Sequence, residues 1–466
     1  MASMELFDCN RFLTHPRACL IAPAGYGKTH SIVDCLEYLT GRFLVLTHTH
    51  AGVAVLRERI KERRIPIGRY TLTTISSFCQ KLAVAYTSPS DVVPIDSDEH
   101  YSWLESRCNQ LAATSQIPRL IELSYSGILV DEYQDCSKLQ HDFIIGIAKR
   151  VSLWIFGDPM QGIFDFNGAI VDWDKDLEGF YFECLDKPKR WENYNVSLGQ
   201  DIATIRRQLE QGANAIDWGG INSIDRIAIT DRNKQDEIKK WRSKNVSQGT
   251  QLIIVTEKWN RADVARAFGG ACRVVEAIDD SDFYALAAKV DQIKRLNAAL
   301  TLYDVAIVVF FKSKVDEWLT AKSVKVKKDE NLRAASKNLA QKVSEYYANP
   351  TPLGLLHALE ELVRIEGIKV FLHEKFTSLK SAIMLASDKG ISVREAMAEV
   401  RNKVRLVGRK IAHFSVGTTL LTKGLEFDHV LIVNANKPYD LRTLSGRKNF
   451  YVAISRARKS LTILNV

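Results

Sequence analysis

Two stretches of this sequence carry residue types suited to binding a triphosphate and splitting its anhydride bond. The first is Ala22-Pro-Ala-Gly-Tyr-Gly-Lys-Thr29. Glycines at this density let the backbone wrap an anion with its N–H groups turned inward. The apolar run ACLIA before it and the helical pattern SIVDCLEYL after it place a helix N-terminus at the same point. In that arrangement Ala24, Gly25, Tyr26, Gly27, Lys28, Thr29 and His30 line a triphosphate, Lys28 reaches its β- and γ-phosphates, and Thr29 ligates Mg2+. Ala22 stands where the general pattern prefers glycine. The second stretch, about a hundred residues on, is Ile128-Leu-Val-Asp-Glu-Tyr-Gln-Asp135, an apolar strand ending in adjacent carboxylates. Nucleotide hydrolysis needs one carboxylate for the metal and one to orient or deprotonate water, and Asp131 and Glu132 fit those roles in that order.

These residues need rigid elements to hold them. Over the first 190 residues, short apolar runs alternate with helical patterns: ACLIA (18–22), FLVLTH (43–48), YTLTTI (70–75), GILVDE (127–132), SLWIFGD (152–158) and YFECLD (181–186). Near-continuous apolar strands separated by helices predict a parallel sheet covered on both faces. A second set predicts a second sheet: RIAIT (226–230), QLIIVTE (251–257), CRVVEAI (272–278), FSVGTTLL (414–421), HVLIVNA (429–435) and SLTILNV (460–466). Two stretches break the alternation and read as inserts, 80–126 with a helix over 101–111, and the almost wholly helix-patterned 296–411. The expected fold is therefore α/β, with a first domain over 1–187 and a second over 188–466.

With those motifs in place, the sequence resembles superfamily 1 helicases of the UvrD/Rep/PcrA type. The further segments that carry the resemblance occur in family order: Thr47-His-Thr-His-Ala-Gly-Val-Ala-Val-Leu-Arg-Glu-Arg59, Thr74-Ile-Ser-Ser-Phe78, Asp131-Glu-Tyr-Gln-Asp135, Gly157-Asp-Pro-Met-Gln-Gly-Ile-Phe-Asp-Phe-Asn-Gly-Ala169, Lys423-Gly-Leu-Glu-Phe-Asp428 and Tyr451-Val-Ala-Ile-Ser-Arg-Ala457. The resemblance implies two RecA-like domains and ATP with Mg2+ as cofactors. It implies Gln161 as sensor of the γ-phosphate or attacking water, Arg190 and Arg456 as arginines reaching that phosphate, and Glu426 as the ribose contact. Guanidinium groups placed there can lower the barrier by several kcal/mol, because charge spreads over the phosphoryl oxygens. Thr47, His48, Thr74, Phe164, Phe166 and Thr418 fall where the family touches a nucleic-acid strand. They are equally residue types that fill cores or cap helices.

The family pattern is not matched everywhere. No glutamine precedes Gln80, so the family's adenine-reading residue is missing from its usual place. Lys189 replaces an aromatic that stacks on the base, and Trp191 either substitutes for it or is core. Ser76 and Leu420 replace family histidines, and Asn167 replaces an arginine. His48 and His50 make only two ligands, too few for a metal site.

The chain has 466 residues, 46% apolar and 26% charged, which predicts two to four compact units. No long polar or Pro/Gly tract predicts disorder. The run Val305–Phe311 is far short of a membrane span, and the N-terminus lacks a secretory pattern. The charge, 64 − 55 = +9, is compatible with a polyanionic partner. The stretch Lys322–Lys328 with Arg333, Lys337 and Lys342 reads as a solvated face or a phosphate contact. Eight cysteines without a C-x-x-C pair predict buried free thiols in a reducing cytoplasm. The expected function is an ATP-dependent single-stranded DNA translocase or helicase, 3′→5′ by family likeness, acting on single-stranded or tailed DNA. Its reduced inserts and its end ten residues after Arg456 resemble the helicase-like subunit of the Gabija anti-phage system, which implies a separate nuclease partner in defence; DNA repair is the other setting. The alternatives are an ATPase switch or sensor that does not unwind duplex, and a non-catalytic binding module.

Overall fold

The computed structural model describes residues 7–93, 99–163, 170–230, 232–245, 248–255, 261–268, 271–276, 280–325, 327, 329–407, 412–433 and 439–465. Twelve strands form two sheets. They are β1 (Arg17–Ile21), β2 (Phe43–Thr47), β3 (Tyr70–Thr74), β4 (Gly127–Val130), β5 (Ser152–Gly157), β6 (Tyr181–Cys184), β7 (Ile224–Ala228), β8 (Gln251–Ile254), β9 (Arg273–Val274), β10 (Phe414–Gly417), β11 (Phe427–Val433) and β12 (Ala457–Asn465). The first sheet has the order β3-β2-β4-β5-β1-β6 and the second β7-β12-β11-β8-β10-β9. Every run read as a strand overlaps one, and β1, β7, β11 and β12 begin one to three residues before the run that signalled them. The run 414–421 is shortened, because from Thr419 the chain turns into a short helix, Thr419–Thr422.

The first sheet is parallel, and its side chains sort by the two-residue period of a strand. Leu44, Leu46, Ile128, Val130, Leu153 and Ile155 enter one buried cluster. Phe43, Val45, Leu129, Trp154 and Phe156 enter another on the opposite face. Burial on both faces is why these strands read as continuous apolar runs. Parallel strands also bring the loops after β1, β4 and β5 to one edge, the usual place for a site in such sheets.

By compactness the chain divides into two units, 1–251 with 422–466, and 252–421. The boundary expected at 187/188 falls between β6 and β7, whereas compactness groups residues 188–251 and 422–466 with the first sheet. The first insert holds the helices His100–Ala113 and Gln116–Ser124. The second unit is mainly helical: Asp280–Asp291, Ala298–Val309, Glu330–Ala348, Pro352–Arg364, His373–Lys389 and Val393–Val407. Leu302, Val305, Leu359, Leu379, Ile383 and Met397 form its core. Buried Arg401 lies 4.0 Å from the Phe283 ring centre and pairs with Glu374 at 3.0 Å, which lets a charge sit inside that core. Among the described residues no helix is long and apolar enough to cross a membrane. Six cysteines are buried as expected, whereas Cys9 is half-buried and Cys184 exposed.

Candidate nucleotide site

The loop after β1 runs into the helix Lys28–Tyr38. Gly25 and Gly27 have φ of +80° and +100°, left-handed values that a Cβ disfavours. At Gly25 a Cβ would also come within 2.8 Å of both Arg190 Cβ and the Trp191 ring. No side chain caps the helix N-terminus, so its first turn suits an anion. Ala24 and Tyr26 are buried, and the Ala24 N–H donates to the Tyr451 hydroxyl at 2.9 Å.

Strand β5 lies between β1 and β4. The loop and the paired carboxylates therefore start about 10 Å apart, two strand spacings. Lys28 closes that gap: its ammonium is 3.0 Å from Asp131 Oδ1 and 2.6 Å from Glu132 Oε2. Burial works against the Lys28 charge, but the two carboxylates outweigh it and raise its pKa. Burial pushes Asp131 up to about 6 despite Lys28, with Glu132 adding to the rise. For Glu132 burial is outweighed by the Lys28 and Lys423 cations, which bring it down to about 2. Glu132 also has a left-handed backbone, φ 55°, one of only two such non-glycine positions among the described residues. That conformation costs roughly 1–2 kcal/mol, a strain typical of functional positions.

Arg190 and Arg456 are brought to the same place. The Arg190 N–H donates to the Gly25 carbonyl at 2.8 Å, and its guanidinium donates to the Ser455 carbonyl at 2.5 Å and to Glu426 Oε1 at 2.7 Å. Arg456 is fully buried and donates to the Val452 and Leu425 carbonyls and the Ser455 hydroxyl. Burial, together with the like charge of Arg190, lowers it to about 10. Gln161 closes a one-turn 3-10 segment after β5, and its Nε2 donates to Asp158 at 2.7 Å. Lys28, Asp131, Glu132, Arg190, Arg456 and Glu426 are thus one constellation around the loop. Thr29 and His30 lie in the first turn of its helix, where burial and Arg59 lower the His30 pKa.

A nucleoside triphosphate and a divalent cation fit this donor set. The glycine loop, the uncapped helix end and Lys28 suit phosphate. Thr29 and Asp131 would supply hard oxygen ligands, and Mg2+ is commonly held by one or two carboxylates plus phosphates and water. Among the described residues no cluster of three or more His, Cys, Asp or Glu could hold a metal without such help.

Residues expected at a nucleic-acid strand are less concentrated. Thr47 is buried, as is Thr74, whose hydroxyl accepts the Ser77 N–H and so caps the helix Ile75–Ala85. His48 lies near Glu105 and Asp135, on whose charges it acts. Thr418 in the second unit accepts the Leu421 N–H at 3.4 Å. Phe164 and Phe166 lie outside the described residues. Trp191 is core: it is buried, packs on Gly25 and Gly199, and donates to the Ala457 carbonyl at 2.8 Å.

Five participants were not singled out from the sequence. Lys423 forms a buried ion pair with Asp135. Gln134 donates to Glu132 at 2.5 Å, and its Oε1 accepts the Asp158 N–H at 3.0 Å. Tyr451 and Arg206 complete the set with Asp158, Arg206 lying 4.8 Å from the Tyr451 ring centre. Lys423, Gln134, Asp158 and Tyr451 stand inside motif segments, which is a usable signal; Arg206 has none.

Residues 100–177, which hold Asp131, Glu132 and Gln161, match the UvrD/REP helicase N-terminal domain family. Residues 390–465, which hold Lys423, Glu426, Tyr451 and Arg456, match the viral superfamily 1 RNA helicase core domain. No curated protein matches the chain. Among solved structures, arterivirus nonstructural protein 10 (helicase) in complex with DNA is 10% identical, over 96% of this chain and 61% of that one, with a TM-score of 0.37. A crystal structure of the same viral helicase is also 10% identical, over 96% and 59%, with a TM-score of 0.37. The chain spans about three fifths of the length of these two structures. Over the two matched segments the chain is similar to superfamily 1 helicases.

Proposed function

We propose that this protein hydrolyses ATP with Mg2+ and uses the cycle to move along single-stranded DNA, as a helicase or translocase. The observation that carries the proposal is the meeting of Lys28, Asp131, Glu132, Arg190 and Arg456 around one glycine loop. Bound Mg2+ would neutralise phosphate charge and polarise the oxygens of the terminal phosphoryl group. The chain's own residues do the rest. The loop N–H groups and the helix end bind the phosphates, and Thr29 and Asp131 hold the cation. Lys28 exchanges its carboxylate partners for phosphate oxygens. Losing that cation raises the proton affinity of Glu132, so the base that takes the water proton at Oε2 is held muted until substrate arrives. Arg190 and Arg456 supply the positive charge that the transition state needs. Glu426, now bonded to Arg190, contacts the ribose.

Movement 3′→5′, a separate nuclease partner and a role in defence or repair extend this reading. ATPase assays with single-stranded DNA, duplex DNA and RNA test it: strongest stimulation by single-stranded DNA supports it, and stimulation only by RNA redirects it to an RNA motor. The burial of Thr47 and Thr74 favours a second reading, a nucleotide-driven switch that does not unwind. Strand-displacement assays separate the two, since a switch turns over ATP and leaves duplex intact.

A further inference from the structure

Asp158, just after β5, is fully buried, and its carboxylate is fully engaged. Oδ1 accepts the Met160 N–H at 3.1 Å; Oδ2 accepts Gln161 Nε2 at 2.7 Å and an Arg206 guanidinium N–H at 2.7 Å. Arg206 is also buried, comes from the helix Val196–Glu210, and pairs with Glu210 at 2.8 Å. Its guanidinium lies on the ring of Tyr451, whose hydroxyl accepts the Ala24 N–H of the glycine loop. From the other side, the Asp158 N–H reaches Gln134, which donates to Glu132. One carboxylate therefore stands where contacts from the loop, from Glu132 and from Gln161 meet.

An ion pair is an unfavourable way to fill buried space unless every charge is bonded. What it adds here is direction. A carboxylate that receives a guanidinium N–H offers Gln161 only an acceptor. The end of the Gln161 amide facing it must be the NH2, and the carbonyl oxygen is left for a different donor. Gln161 makes no other side-chain hydrogen bond among the described residues. With a neutral amide in place of Asp158, either end of Gln161 could turn inward and the choice would be lost.

We propose that Arg206 is a positioning residue for hydrolysis: through Asp158 it fixes the Gln161 amide so that its carbonyl oxygen accepts a hydrogen bond from the attacking water. Gln161 then orients the water and breaks no bond, while the water proton passes to Glu132. This rests on the reading that the glycine loop binds a nucleoside triphosphate.

The test is a kinetic cycle. Arg206→Met combined with Asp158→Asn removes both charges together, so no buried charge is left unpaired. Gln161→Ala is then made in this background and in the unaltered protein, and ATP turnover is measured at saturating single-stranded DNA. We expect Gln161→Ala alone to lower kcat about tenfold or more, and the charge-free pair to lower it as much with KM within about threefold. Adding Gln161→Ala to that pair should lower kcat less than about twofold further, because the contribution is already lost. A charge-free pair with unaltered kcat, or a full second loss on adding Gln161→Ala, overturns the proposal. Arg206→Lys, which keeps a cation on Asp158 and folds without removing a charge, should retain the Gln161 effect; its disappearance there also overturns it. Absence of turnover in the unaltered protein overturns the functional reading and this inference with it, whereas turnover with additive losses overturns the inference alone.

Discussion

Gly25→Ala is the substitution whose effect follows most directly from the geometry. Gly25 has φ +80°, where a Cβ costs roughly 1–2 kcal/mol. Its Cβ would also stand 2.8 Å from Arg190 Cβ and 2.8 Å from the Trp191 ring, and neither can step aside cheaply. Trp191 is pinned by its bond to the Ala457 carbonyl, and Arg190 by Glu426 and the Ser455 carbonyl. Overpacking of this kind adds about 1–3 kcal/mol, so the total is about 2–5 kcal/mol. Gly212 supplies the control, with φ +83° and no atom within 4 Å of the position its Cβ would take. Gly212→Ala should carry the backbone part alone, roughly 1–2 kcal/mol. Urea denaturation of the two variants measures the difference, and ATP turnover should fall at least about tenfold only for Gly25→Ala, as Arg190 is displaced. Equal urea midpoints for the two would refute the packing of Arg190 on the loop.

Three further outcomes follow from the same site. Asp131→Asn should stabilise the nucleotide-free protein at pH 7 by about 3 kcal/mol while reducing hydrolysis, because burial raises Asp131 to about 6 in the folded protein against an ordinary 3.8. The sign is that of a raised carboxyl: the folded state binds more protons between pH 4 and 6, so the penalty for the charge grows over that window and is complete above it. Urea midpoints at pH 7 and pH 4 check this, with the advantage of the Asn variant gone at pH 4; a less stable variant at pH 7 contradicts it. Glu132→Gln should keep nucleotide binding and lower kcat by about 10²–10⁴-fold, as loss of a general base does, and an unchanged kcat in steady-state assays excludes Glu132 from that role. Lys423→Met should destabilise the protein by about 3–5 kcal/mol at pH 7, since it leaves Asp135 buried without its cation; an unaltered urea midpoint contradicts that burial.

The strands were legible because central parallel strands are buried on both faces and read as unbroken apolar runs. Strand β9, two residues long, is barely a signal, and the 414–421 run was overextended because Thr418 and Thr419 suit a strand and a helix start alike. The loop and the Asp131–Glu132 pair were legible because each is contiguous in sequence and framed by its own strand. Arg206 was not: nothing in its helix distinguishes an inward arginine, and Asp158 stands 48 positions away. Likewise Lys423 and Asp135 are 288 positions apart, so only the fold pairs them. Thr47 and Thr74 were expected at a strand-binding surface, but a β-branched residue at a strand end is as much at home buried or capping a helix. For Trp191 two roles stood open, and its bond to Ala457 settles it as core.

The most direct test of the central claim, that one glycine loop gathers the residues of a nucleotide-driven motor, is ATP hydrolysis with and without single-stranded DNA, for the unaltered protein and for Lys28→Ala. Turnover should rise with the strand and disappear in the variant. Hydrolysis at the unaltered rate after Lys28→Ala, or none by the unaltered protein with any nucleoside triphosphate, would contradict that claim.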